Sequence, residues 1–143
     1  MSIETILRRK GPDVTTIGPE ANIKSAAGWL RAKNIGALVV TGENAVLGLI
    51  SEREIVDAFF RYGEAAGSMR VKEIMQHGVT TVSPDESVTR VMKLMTHQRV
   101  RHLPVVLGGK LAGIVSIGDV VKYRLEELEL EANVLRDAYS ISR

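Results

Sequence analysis

A chain of 143 residues that is 45% hydrophobic and 25% charged can form one compact core or two very small ones. It has no cysteine, which excludes disulfides, thiolate metal sites and cysteine nucleophiles. A net charge of +2, scattered cations and only 4% aromatics leave no basic stripe or stacking platform of the kind nucleic-acid binding wants.

At the N-terminus, MSIETILRRK carries its charges after its apolar residues, the reverse of a secretory signal. No apolar run approaches the roughly 18 residues of a membrane helix. A cytoplasmic protein with no membrane association is expected. Residues 3–9 read as a short helix with Ile3, Ile6 and Leu7 on one face, stopped by Gly11-Pro12. Residues 14–17 are β-prone. Gly18-Pro19 then turns the chain into an amphipathic helix whose apolar face is Ile23, Ala26, Ala27 and Leu30. Residues 37–41 are almost wholly apolar, which predicts a strand buried on both faces. Gly42-Glu43-Asn44 reads as a hairpin turn into a strand over 46–50. A helix follows from Ser51 and breaks at Gly63 and Gly67, within a linker over 61–72.

The second half repeats the first at a constant offset of 65 residues. Val14-Thr15-Thr16 falls on Val79-Thr80-Thr81, Pro19 on Pro84, Leu38 on Leu103 and Val40 on Val105. Gly48, Ser51 and Val56 fall on Gly113, Ser116 and Val121, with no gap from residue 14 to 56. The second amphipathic helix has Val88, Val91, Met92 and Met95 as its core face, and its strands are read over 103–107 and 111–115, joined at Gly108-Gly109. Each copy is therefore a β-α-β-β-α unit. The expected arrangement is α/β (α+β): a first unit over 1–62 with the N-terminal helix, a linker over 63–72, and a second unit over 73–143. A unit of about 60 residues is marginal alone, so the two are expected to pack through their sheets about a pseudo-twofold axis.

The second unit's last helix runs from Ile117 towards the end of the chain without Gly or Pro. Val121, Leu125, Leu128, Ala132, Leu135 and Tyr139 form a heptad seam on it, with Glu126, Glu127, Glu129 and Glu131 outward. The seam predicts packing against a partner subunit, hence a homodimer. The alternative is a helix folded back on its own unit.

The most informative stretch occurs twice, as GLISEREIV (48–56) and GIVSIGDVV (113–121). A strand ends in a serine that opens a helix, with an acid three residues on. Read plainly, this is a capping box. Its repetition in register also suits ligand binding: a helix N-terminus attracts phosphate, and a carboxylate nearby accepts hydrogen bonds from vicinal ribose hydroxyls.

The ordered set VTTIGPEANI, IGALVV and GLISEREIV, followed by VTTVSPDESV, VRHLPVV and GIVSIGDVV, resembles the CBS domain family, named for cystathionine β-synthase. The resemblance covers about residues 5 to 131 and implies two CBS units in one Bateman module. It implies an adenosine ligand in the clefts between units: AMP first, with NAD(H), ADP, ATP or S-adenosylmethionine as alternatives. Carried over, Asp119 and Glu54 hold ribose. Ser116 and Ser51 lie on the phosphate side, as do Arg53, Arg101 and His102. Thr16 and Thr81 lie at the adenine pocket. Glu54 departs from the family's usual aspartate. Arg101 and His102 read equally as solvated surface. His77 and His97 read as ordinary surface residues, and three dispersed histidines make no metal set, so no metal is expected. No Walker loop and no metalloenzyme motif occurs. The expectation is a stand-alone regulatory, energy-sensing module acting on a separate protein. A ligand-independent structural or nucleic-acid-associated protein is the alternative, and a nucleotide-consuming enzyme is a further one.

Overall fold

The structure is a computed structural model that describes residues 1–11, 13–43 and 45–141. Its elements are α1 (Ile3–Lys10), β1 (Thr16–Ile17), α2 (Ile23–Lys33), β2 (Ala37–Gly42), β3 (Ala45–Ser51), α3 (Glu52–Tyr62), a 3-10 segment (Gly63–Ser68), α4 (Val71–Ile74), α5 (Val88–Gln98), β4 (His102–Leu107), β5 (Lys110–Ser116) and α6 (Ile117–Ile141). Two expected breaks fall partly outside the described residues, at Pro12 and at Asn44. Gly11 itself ends α1 at φ +93°, a conformation that favours glycine, and its N–H donates to the Leu7 carbonyl.

The first unit has a three-stranded sheet, with β1 parallel and β3 antiparallel to the central β2. The second has β4 antiparallel to β5. Its counterpart of β1 is reduced to one parallel bridge, Val82 to Val105. The first strand is shorter than residues 14–17 suggested because Val14 turns into the contact between units. Both hairpins carry a register irregularity at the same repeat position, after Val40 and after Val105.

Strand β2 is buried on both faces, as its composition predicts. Leu38 and Val40 pack with Ile23, Ala26 and Leu30 of α2, and with Ile55 of α3. Ala37 and Val39 point the other way, joining Leu49, Val14 and Val46 against Val79, Leu111 and Ile114 of the second unit. Val14 with Val79, Val46 with Leu111 and Leu49 with Ile114 are repeat partners. The seam between units is thus lined by equivalent side chains from both copies. In the second unit, Leu103, Val105 and Val115 pack with Val88, Val91 and Met95 of α5, and with Val120 and Tyr123 of α6.

The helix leading each unit docks on the other unit. α1 was expected within the first unit, but its Ile3 and Ile6 are 0% and 3% exposed in the core of the second. Each such isoleucine contributes about 2 kcal/mol of burial. Reciprocally, Val71 and Met75 lie in the core of the first unit. The backbone contacts match. Ile3 and Glu4 amides donate to the Glu86 and Pro84 carbonyls at 2.9 and 2.8 Å. Val71 and Lys72 amides donate to Ala21 and Pro19 at 2.8 and 3.0 Å. The lead helices therefore correspond at an offset of 68 (Ile3 to Val71), while the units correspond at 65.

Glycine is required where each lead segment crosses a strand. A Cβ on Gly48 would collide with the backbone carbonyl oxygen of Gln76 and lie 2.9 Å from the Met75 sulfur. On Gly113 it would meet only the Leu7 side chain, at 2.6 Å. A backbone oxygen held by Leu49 cannot move alone, whereas a leucine can change rotamer. Gly48→Ala is therefore expected to cost about 1–3 kcal/mol in urea unfolding, and Gly113→Ala distinctly less. Equal losses would contradict this account of the two crossings.

Candidate functional site

The two corners close as local capping arrangements. In the first, Oε1 of Glu54 accepts from the Ser51 amide at 2.7 Å and from the Ser51 hydroxyl at 2.6 Å. Its Oε2 accepts from the Gln76 amide nitrogen at 2.9 Å. Glu54 is thus engaged through both oxygens. In the second, Oδ2 of Asp119 accepts from the Ser116 amide at 2.9 Å, while the Asp119 amide donates to the Ser116 hydroxyl at 3.1 Å. Lys10, from the cross-docked α1, adds a 2.7 Å ion pair to the same Oδ2 and a 2.9 Å bond to the Ile114 carbonyl. Every described bond to the Asp119 carboxylate falls on Oδ2.

The helix N-termini are less open to phosphate than the strand-to-helix motif implies. The Glu52 amide donates to Gly36 O at 3.2 Å and the Ile117 amide donates to Arg101 O at 2.8 Å. The start of the middle strand in each unit thus takes the first helical N–H, and in the second corner the Asp119 amide is held by Ser116 as well. An anion placed there would meet side chains more than free amides.

The electrostatics of the second corner are set by Lys10 and Arg101 beside a half-buried His102. Burial pushes the Asp119 carboxyl up. Lys10 and the Ser116 bonds outweigh it, leaving Asp119 below its ordinary value. His102 is held below its own ordinary value, first by burial and then by the Lys10 charge, with Asp119, Arg101 and Glu52 also within its field. His102 therefore faces both corners. Its ring packs on Gly36 of the first unit, where a Cβ would lie 3.3 Å from Cε1 and Nε2.

The remaining expected residues are more dispersed. Thr16 and Val14 border two open cavities. One, of about 390 Å³, also has Thr41, Lys110 and Leu111 in its wall and so spans both units. The other, of about 770 Å³, is lined by Asp13, Val14, Thr15, Thr16, Lys33 and Ile35. Ile35 of the second wall precedes Gly36, on which the His102 ring packs, and its Asp13 lies three residues beyond Lys10 in sequence. Neither cavity is lined by Glu54 or Asp119. Arg53, Thr81 and Arg101 are exposed, and Ser51 and Ser116 are partly buried. Among the described residues, no group of His, Asp and Glu could hold a metal ion, and no helix is long and apolar enough to cross a membrane.

Sequence reasoning missed Lys10 and Gln76, which bond the two corner acids. A signal existed: IETIL (3–7) and VKEIM (71–75) align at the offset of 68, not at 65.

The lowered His102 gives a signed pH dependence. On acidification the unfolded chain takes up the proton first, near the ordinary value of about 6.5. The stabilisation from neutral His102 is complete above that pH and is lost below it, with a slope of at most about 1.4 kcal/mol per pH unit. Urea midpoints are expected to fall between pH 7 and 5, and His102→Gln is expected to flatten that fall. An unchanged slope in the variant would refute the assignment.

Comparison with known proteins agrees with this architecture. The CBS domain profile matches residues 3–61 and 71–126. A mitochondrial CBS domain-containing protein of Arabidopsis thaliana is 41% identical over 99 residues, 66% of this chain and 48% of that one. This chain thus spans about half of that relative, and the matched part of a Thermofilum pendens protein is 30% of its length. A solved CBS-domain protein from Agrobacterium tumefaciens is 43% identical with a TM-score of 0.83, covering 87% of this chain and 99% of that one. A CBS domain pair solved in complex with 5′-methylthioadenosine and S-adenosyl-L-methionine is 25% identical with a TM-score of 0.79, covering 89% and 98%. The paired β-α-β-β-α units, their sheet-to-sheet seam and these matches establish that the chain belongs to the CBS domain family and carries two copies of the domain.

Proposed function

We propose that this protein is a regulatory module that binds an adenosine nucleotide, AMP before NAD(H), ADP, ATP or S-adenosylmethionine, between its CBS units. The observation that carries the reading is the second corner: a partly buried Asp119 with its bonds gathered on Oδ2, beside Lys10, Arg101 and His102. Oδ1 is left to accept from a ribose diol, and the cations suit phosphate. Thr16, in the wall of both cavities, is assigned to the adenine side, with Ser116 on the phosphate side. Thr81, Glu54, Ser51 and Arg53 form the corresponding first-corner set. The adenosine compounds bound by the similar CBS pair support this ligand class. Ser51 and Ser116 hydroxyls are held within their own helix turns, which favours a binding role over nucleophilic catalysis.

A second copy of the chain is the proposed partner. Phe60 is 88% exposed on α3, beside Val56, and Val121, Leu125, Leu128 and Leu135 are exposed on α6. Val56 with Val121 and Phe60 with Leu125 are repeat partners. The two helices therefore present equivalent apolar faces, as a self-complementary twofold interface needs. A patch of this kind is uncommon on a monomer. Regulation would act on an unidentified protein, and the setting would be cytoplasmic.

Ligand at about 100 times its dissociation constant is expected to stabilise the fold by roughly 2.7 kcal/mol. A thermal-shift panel of AMP, ADP, ATP, NAD, NADH and S-adenosylmethionine measures this, and no shift with any of them would sink the reading. Asp119→Ala should remove more binding by calorimetry than Glu54→Ala, because both Glu54 oxygens already serve the fold. In sedimentation at micromolar concentration the chain should be a dimer, and Phe60→Asp with Leu125→Asp a folded monomer. A monomeric parent protein would refute the twofold assembly.

A further inference from the structure

The second corner holds a cation that the repeat does not supply. Lys10 arrives from α1, docked across from the other unit, and its side chain is 33% exposed. An ammonium has three donors. Among the described residues, its bonds to Asp119 Oδ2 and Ile114 O engage two of them. A compound whose ribose hydroxyls bond Asp119 Oδ1 would lie close to Nζ, which is 2.7 Å from Oδ2 of the same carboxylate. Ribose recognition and the Lys10 charge therefore share one small volume.

The first corner has no counterpart of Lys10, and its own cation, Arg53, is exposed and stands where the second corner has Gly118. Where the second has Lys10, Arg101 and His102, the first has Gly78, Gly36 and Ala37 at the equivalent positions. Its acid meets the neutral amide of Gln76 instead. The corners thus read the same ribose chemistry against different charge.

We propose that Lys10 is the specificity-determining residue of the second cleft, selecting adenosine compounds that carry a phosphate over those that are uncharged or cationic at the 5′ position. The inference rests on the adenosine reading above. A charge-assisted bond from Nζ to a phosphate oxygen is roughly twice as strong as a neutral one. Its benefit is confined to the phosphorylated ligand. A cationic sulfonium at the same place meets Lys10 and Arg101 as like charges.

The test is calorimetric titration of the full chain with AMP and with 5′-methylthioadenosine, which share adenine and ribose and differ in the phosphate. Wild type should prefer AMP. Lys10→Met should weaken AMP by about tenfold or more relative to methylthioadenosine, while Lys10→Arg should retain the preference. A merely structural role for Lys10 as a tether of α1 would move both ligands together, which overturns the proposal. An unchanged ratio in Lys10→Met also overturns it. Binding of neither compound to wild type overturns this inference, and the thermal-shift panel then decides the adenosine reading separately. If Lys10→Met does not fold, the wild-type salt dependence decides. Affinity for AMP should fall between low and physiological salt while that for methylthioadenosine stays level, and parallel curves refute the role of charge.

Discussion

The reciprocal exchange of lead helices is the constraint on which the rest of the structure depends. Each CBS unit lacks part of its own core. The second is completed by Ile3 and Ile6 from the start of the chain, and the first by Val71 and Met75 from beyond its own last helix. A unit of this size buries too little apolar surface to be secure alone. Exchanging core residues binds the two into one cooperative body, with the sheet-to-sheet seam as a second contact. The glycines at 48 and 113 follow from this, since the exchanged segments cross the sheets there. Exposed charges on the exchanged segments, such as the Glu20 pairs with Arg70 and Lys72, add little by comparison.

The same exchange builds the corners. A serine and an acid three residues later are sufficient to start a helix. The docked lead segments then bring Gln76 to Glu54 and Lys10 to Asp119. A capping interaction thereby becomes part of an inter-unit site. Because the first amide of each helix is taken by the middle strand, the dipole of the helix end contributes less to an anion site than the side chains around it.

Pseudo-symmetry sets where the copies match, and departures from it set their chemistry. Where the first unit has Gly36 and Ala37, the second has Arg101 and His102, and the His102 ring fits because Gly36 has no side chain. Lys10 then depresses protonation of the neighbouring imidazole while also pairing with Asp119. The two Lys10 interactions join residues more than ninety positions apart in the chain.

Much of the fold was legible in the sequence. The offset of 65, the continuous apolar run of β2, the apolar faces of α2 and α5, and the unbroken length of α6 all depend on interactions within a few residues or on a repeated pattern. The corner acids and serines were legible for the same reason, because a capping box lies within one helical turn. The first lead helix was legible as a helix, but not in its placement, and the second, α4, begins in a stretch read as linker. Nothing local distinguishes an apolar face that packs on its own unit from one that packs on its neighbour. The shift from 65 to 68 residues, which marks the exchange, has its cause in the path between units. The tertiary structure alone decided that α1 belongs to the core of the second unit, and that Lys10 consequently lies on Asp119. The physical reason is that burial of Ile3 and Ile6 places the helix, and the lysine one turn later has no choice but to follow.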